Sequence, residues 1–200
     1  TIGDAAAVDT LSTDIRALGG GTAEINLTGV TAISGTFAQL ETIIDDSGAV
    51  GSNSKFSGVA AQELTEDSGG TISVANANKL SGATTGKVTA TIATGSLATL
   101  NTLSAAAQPA NGDAFALTLN DATVDAGDLA TLDSKVDQAG GGTINMNSVV
   151  KLTGTLTEAQ TFITTKDNFT NNSNVVDIDL SGTIGDAAAV DTLSTDIRAL

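Results

Sequence analysis

The eighteen residues TIGDAAAVDTLSTDIRAL stand at positions 1–18 and again at positions 183–200. Chance does not produce an identity of that length, and the offset, 183 − 1, sets a period of 182 residues. The chain reads as one full long repeat, 1–182, followed by the start of the next, 183–200. On this reading the polypeptide beyond position 200 resumes as GGGTAEINLTG, the letters that follow residue 18. A repeat of this kind can be extended without redesign, because each unit leaves an apolar face that the next unit covers.

A shorter, imperfect repeat lies inside the long one. Small-residue junctions fall at Ser34–Thr36, Gly69–Thr71, Thr94–Ser96, Asp121–Thr123, Thr153–Thr155 and Ser181–Thr183. Their spacing of about 25 to 35 residues gives about six units per period, the size of a two-element repeat. Before the junctions apolar and polar residues tend to alternate: Ile25 and Leu27; Val88, Ala90 and Ile92; Phe115, Leu117 and Leu119; Ile144 and Met146; Val176, Ile178 and Leu180. Period two predicts half-buried strands. After the junctions the period becomes helical, with Phe37, Leu40, Ile43 and Ile44 on one stripe and Leu156, Ala159, Phe162 and Ile163 on another. The opening stretch places Ala5, Val8, Leu11 and Ile15 on a third.

Thr36 with Gln39, and Thr155 with Glu158, have the spacing of a capping box, and Asp125 is the cap expected before Leu129 and Leu132. Gly19–Gly21 and Gly140–Gly142 supply helix stops, and Asn111–Gly112 after Pro109 supplies a tight turn. The segment Lys55–Asp67 fits the pattern only as a degenerate unit.

Strand, cap, short helix, glycine turn and strand in succession predict parallel strands joined by right-handed crossovers. The expected fold class is α/β, a right-handed solenoid of strand-plus-short-helix units with a parallel β-sheet, about six units per 182-residue period. A closed eight-unit barrel is disfavoured, since nothing in the period marks closure. Strands stack ~4.8 Å apart while packed helices need ~8 to 10 Å, so helices all on one side imply curvature. The pattern does not choose between one side and both.

Twenty-three acidic residues against eight basic ones give a net charge of −15, which excludes nucleic acid as a natural partner and disfavours an anionic membrane. No apolar run is long enough to insert into a bilayer. With no His and no Cys, the usual triads and zinc centres are excluded. Carboxylate pairs remain for acid–base work, but the absence of Trp and Tyr removes the aromatic faces that grip a sugar. The expectation is a protein without enzymatic activity.

Calcium, a cation held by oxygen, is the possible cofactor, with Asp45, Asp46, Asp177 and Asp179 as candidate ligands and Asp113 and Asp121 as further carboxylates at turns. GGGTAEIN and GGGTINMN lack the aspartate of the calcium-binding nonapeptide, and no EF-hand spacing occurs. A second candidate is the out-pointing strand face, where Asn26, Thr28, Thr89, Thr91, Thr118, Asn120, Asn145 and Asn147 would stack as a polar ladder. Such a ladder is either a flat recognition surface or simply the wet side of a one-sided sheet. The sequons at Asn26, Asn168 and Asn171 are no more than a Ser/Thr-rich chain yields by chance.

The phrases SGTFAQLETI, GSLATLNTL, VDAGDLATLDSK and TTGKVTATIATG resemble repeats of giant acidic surface proteins of bacteria, especially marine cyanobacteria, in which variants of GT, xxADLxxL and TTGxVxA recur in long arrays. The resemblance covers most of the chain in pieces, and Phe56–Glu66 departs from it. It implies an extracellular or cell-surface location, a role in envelope layers, adhesion or motility, and no catalytic residues. The expected function is a structural repeat segment of a giant secreted protein forming a filament, sheath or surface layer, with copies of itself as partners. The alternative is an adhesin-type array binding glycan, calcium or a surface through the polar strand face.

Overall fold

A computed structural model describes residues 1–18, 21–49, 51, 54–104, 113–136 and 140–198. The Asn111–Gly112 turn and Pro109 lie outside the described residues. The first half carries helix α1 (Ala5–Leu18), strands β1 (Ile25–Asn26) and β2 (Ala32–Gly35), helix α2 (Phe37–Asp45), strands β3 (Ser47–Gly48), β4 (Phe56–Ser57) and β5 (Glu63–Glu66), and helix α3 (Val74–Ala83). Then come β6 (Val88–Thr91), α4 (Leu97–Leu100), β7 (Ala114–Thr118), β8 (Thr123–Asp125) and α5 (Ala126–Asp133). The last part holds β9 (Thr143–Asn145), β10 (Lys151–Thr155), α6 (Leu156–Thr165), β11 (Phe169–Thr170), β12 (Asp177–Ser181) and α7 (Ala187–Ile197).

The helices start where hydroxyls or carboxylates satisfy the first orphan N–H groups. Both expected capping boxes form: Thr36 accepts from the Gln39 N–H while the Gln39 side chain accepts from Thr36, and Thr155 and Glu158 repeat the arrangement. Asp125 caps α5 by accepting from the N–H groups of Gly127 and Asp128. Inter-unit capping occurs too, since the Asp121 carboxylate accepts from the Leu97 N–H at 2.6 Å. The buried stripes follow, with Leu40, Ile43, Leu129, Leu132, Ala159 and Phe162 all in the core. One stop is misplaced: α5 ends at Asp133, well before Gly140, while Gly21 and Gly141 hold the positive φ that favours glycine.

Among the described residues all strand pairing is parallel. The largest sheet has the order β11-β9-β7-β6-β5-β2, and a second sheet runs β12-β10-β8. A third, small one runs β1-β4-β3. Among the described residues the order is open at both ends and no barrel closes. Register aligns the inward residues into rows, Ile33 beside Leu64 beside Val88, and Leu117 beside Ile144 beside Phe169. Helices pack in chain order, α1 on α2, α2 on α3, and then α4, α5, α6 and α7 successively. Between α3 and the segment after α4, Asn78 bridges by donating to the Thr102 carbonyl and accepting from the Ser104 N–H.

Three sequence expectations change. Several units hold two strand segments rather than one: β2, β8 and β10 lie directly before their helices, on the residues read as small-residue junctions. Ala, Thr and Gly carry little alternation, so parallel pairing with the neighbouring unit, and not local pattern, makes these strands. The supposedly degenerate segment contributes β5, which sits inside the large sheet between β2 and β6, with Leu64 buried and Glu66 turned inward to accept from the Ser68 N–H. In α1 the buried stripe runs through Ala5 and Ser12, whereas Leu11 is 52% exposed.

Candidate interaction surfaces

The out-pointing residues of the large sheet form short rows. Thr65 pairs with Thr89, Thr91 with Ala116 and then Thr143, and Thr118 with Asn145 and then Thr170. Of the expected ladder, Thr118 and Asn145 are thus brought side by side, while Thr89 and Thr91 are followed by alanines. Asn26 lies in a different sheet opposite Ser57, with Thr28 exposed just beyond it. Asn120 lies past the end of β7 and donates its backbone N–H to the Gly95 carbonyl.

The asparagines do local work. Asn26 Oδ1 accepts from the Thr28 N–H and Asn145 Oδ1 from the Asn147 N–H, both at 2.9 Å, which folds the chain into an Asx turn after the strand. In the next unit Asn171, at φ 57, donates from Nδ2 to Asn145 Oδ1, and Asn174 Nδ2 donates to the Asn147 carbonyl. Asn145 and Asn147 therefore brace consecutive turns, and part of their hydrogen-bonding capacity is already used within the chain.

The candidate calcium ligands stand next to lysines. Lys79 on α3 bonds both Glu41 and Asp45 of α2 at 2.8 Å, and Lys55 bonds Asp46 at 2.6 Å and lies 3.7 Å from the Asp9 carboxylate of α1. Lys151 on β10 lies in register with Asp177 of β12 and contacts Asp177 at 3.1 Å and Asp179 at 2.5 Å. Each ammonium is held above its ordinary pKa, chiefly by its hydrogen bond to Asp46 for Lys55, to Asp45 for Lys79 and to Asp179 for Lys151. A lysine occupies the position beside each of the four aspartates where a cation would bind. Among the described residues no three His, Cys, Asp or Glu side chains converge as a metal site. Asp113 is buried and accepts from the Val88 N–H at 2.8 Å.

The lysine bridges were not foreseen. Their signal was available as spacing, because Lys79 lies 38 and 34 residues from its partners, about one unit away. In a chain with eight cationic residues, three lysines are spent between elements of different units.

The two copies of the opening sequence form the last notable surface. In α1, Ala5 and Ser12 are buried, and Ile2 bridges Ile33 of β2. In α7 the equivalents Ala187 and Ser194 are exposed, Ile184 is 44% exposed, and Leu193, the equivalent of Leu11, is 3% exposed. A shallow groove beside α7 is lined by Val176, Ile178, Leu180, Val190, Leu193 and Ile197. No helix among the described residues is long and apolar enough to cross a membrane. No known protein family, characterised protein or solved structure matches the chain.

Proposed function

We propose that the chain is a structural repeat segment of a giant secreted protein, built as a right-handed solenoid of about six strand-plus-helix units per period, that forms an extracellular filament, sheath or surface layer. The observation that carries this reading is the identity of residues 1–18 with 183–200 at an offset of 182 residues. The parallel pairing and the packing of helices in chain order support it, since each unit contacts chiefly its neighbours. The repeat pattern supports a cell-surface location through its resemblance to giant acidic bacterial surface proteins. The lysine bridges and asparagine braces act as repeated fasteners between units, and no residue in this reading has a catalytic role.

A polypeptide of three 182-residue periods tests it. Strands stacked ~4.8 Å apart in about six layers predict rods in electron micrographs that lengthen by about 30 Å per added period on the sheet side. Compact particles of unchanging length would refute the array.

A binding array is the second reading, favoured by the rows of short polar side chains around Thr118, Asn145 and Thr170. It requires hits on a glycan array or a melting temperature that falls on calcium chelation. Neither response is expected of a purely structural segment.

A further inference from the structure

We propose that the joint between α3 and α4 is a hinge that opens on the helix side while the sheet holds, with the Asn78 carboxamide as its latch. The hinge stands on this chain alone; its recurrence once per period rests on the repeat-segment reading above.

Consecutive units touch in two layers, and on the sheet side this joint is closed. The Leu64 N–H donates to the Lys87 carbonyl at 3.0 Å and the Ile72 N–H to the Thr91 carbonyl at 2.9 Å, while the Ala93 N–H donates to the Ile72 carbonyl at 2.8 Å. The Thr84 hydroxyl donates to the Gln62 carbonyl at 2.5 Å. Gly86 lies so near that a β-carbon there would stand 2.4 Å from the same oxygen.

The helix side differs. Helix α4 has four residues, Leu97–Leu100, against ten in α3, Val74–Ala83. One turn cannot lie along three, and among the described residues α3 and α4 are the consecutive helices that pack least. The hydrogen bonds described between their segments are both made by Asn78, whose Nδ2 donates to the Thr102 carbonyl at 2.9 Å and whose Oδ1 accepts from the Ser104 N–H at 2.7 Å.

On either side of the joint charge fastens the helices. Lys79 ties α3 to Glu41 and Asp45 of α2. The Asp121 carboxylate accepts from the Leu97 N–H at 2.6 Å, Asn101 Nδ2 donates to the Asp128 carbonyl at 2.9 Å, and Lys135 donates to the Asn101 carbonyl, so α4 is bound to the unit of α5. Charge-assisted bonds are roughly twice as strong as neutral ones. Two bodies result, α1–α3 with β2 and β5, and α4–α7 with the strands from β6 onward. Parts of a fold with few packed contacts open first. Rotation about the β5–β6 bonds therefore breaks the two neutral Asn78 bonds before any charged fastener.

The chain has no cysteine, so nitroxide labels on introduced cysteines read the joint in the full protein by double electron–electron resonance. The pair Ala75→Cys and Thr131→Cys spans α3 to α5 across the joint, and the pair Ala98→Cys and Thr161→Cys spans α4 to α6 within one body; all four residues are exposed. Each pair covers two helix spacings, about 16 to 20 Å. The first pair should give the wider distance distribution, with a tail to longer distances. Losing two neutral hydrogen bonds favours the open form about ten- to a hundredfold, so Asn78→Ala should move the first distribution outward and leave the second in place. Equal widths for the two pairs without the Asn78 substitution overturn the hinge, as does a first distribution that Asn78→Ala leaves unmoved. If Asn78→Ala does not fold, the comparison of widths decides alone. Equal widths alongside rods that lengthen with each added period would sink the hinge and leave the repeat-segment reading standing, and a wide first distribution with compact multi-period particles would do the reverse.

Discussion

Gly58, Gly69 and Gly86 separate two physical reasons for glycine, and substituting each by alanine tests how closely the units stack. Gly58 has φ +78, and a β-carbon there would lie 2.6 Å from both the backbone nitrogen and the methyl of Thr28. Gly69 has nearly the same φ, +72, but open space around it. Gly86 has no positive φ, and its β-carbon would run into the Gln62 carbonyl, with the carbonyl carbon at 2.6 Å. A left-handed alanine costs about 1 to 2 kcal/mol. Forcing an extra methyl into a packed contact costs about 1 to 3 kcal/mol. Gly69→Ala should therefore lose about 1 to 2 kcal/mol and Gly58→Ala about 2 to 5 kcal/mol, the sum of both effects. Gly86→Ala, crowded against backbone that cannot rotate away, should fall between them or match Gly58→Ala. For a chain of this length a kcal/mol lowers Tm by about 2 to 4 °C, giving drops of about 2 to 8 °C for Gly69→Ala and about 4 to 20 °C for Gly58→Ala. Far-UV circular dichroism melts read these shifts. Equal melting of Gly58→Ala and Gly69→Ala would refute the close approach of the two turns, because their backbone penalties are the same.

The duplicated leucine gives a further test with identical chemistry at two sites. Leu193→Ala should destabilise by about 2 to 5 kcal/mol in urea titrations, and Leu11→Ala by under about 0.5 kcal/mol, because only the first is buried. Equal costs would show that the two helices pack alike. The lysine bridges predict an alkaline limb. A raised lysine pKa means that the folded state holds its proton more tightly, so this stabilisation is complete below the ordinary value of 10.5 and is lost as pH rises through the elevated one. With no Tyr and no Cys in the chain, lysines dominate side-chain titration in that window. Melting temperature should fall steeply above pH ~10.5 in the wild type and less in the triple variant Lys55→Gln, Lys79→Gln, Lys151→Gln. At neutral pH the gap between the two should narrow in about 1 M salt. Parallel curves would mean that the bridges contribute nothing.

What the sequence made legible was local. Caps such as Thr36–Gln39 and Asp125 depend on residues within one turn, and the stripes through Leu40 and Leu129 repeat at a fixed angle, so both can be read without a partner. Strand β10 could not be, because KLTGT has one large apolar residue and its extended form is imposed by β8 on one side and β12 on the other. Strand β5 was obscured for the same reason, with Leu64 as its single apolar residue. Among the candidate sites, residue type and rough placement were legible, but register was not. Thr89 meets Ala114 and Asn26 meets Ser57, which breaks the ladder. The aspartates were visible as charges, whereas Lys79 beside Asp45 and Lys151 beside Asp177 and Asp179 come from other units.

The exchange of Leu11 for Ser12 on the buried side of α1 is of a different kind. Nothing in TIGDAAAVDTLSTDIRAL selects between the two, and α7 shows the opposite choice with the same letters. The helix forms from local signals, with Asp4 accepting from the Ala7 N–H in one copy and Asp186 from Ala188 and Ala189 in the other. Which face is buried is then decided by the neighbour. The side carrying Ala and Ser admits a strand at close range, as the Ala5–Gly35 approach shows, whereas in α7 the side carrying Leu193 faces Ile178 and Leu180 of β12. A helix with two unlike faces is fully covered only between two unlike neighbours. A contact that used both faces of such a helix would be heterologous, joining unlike surfaces rather than closing a symmetric pair.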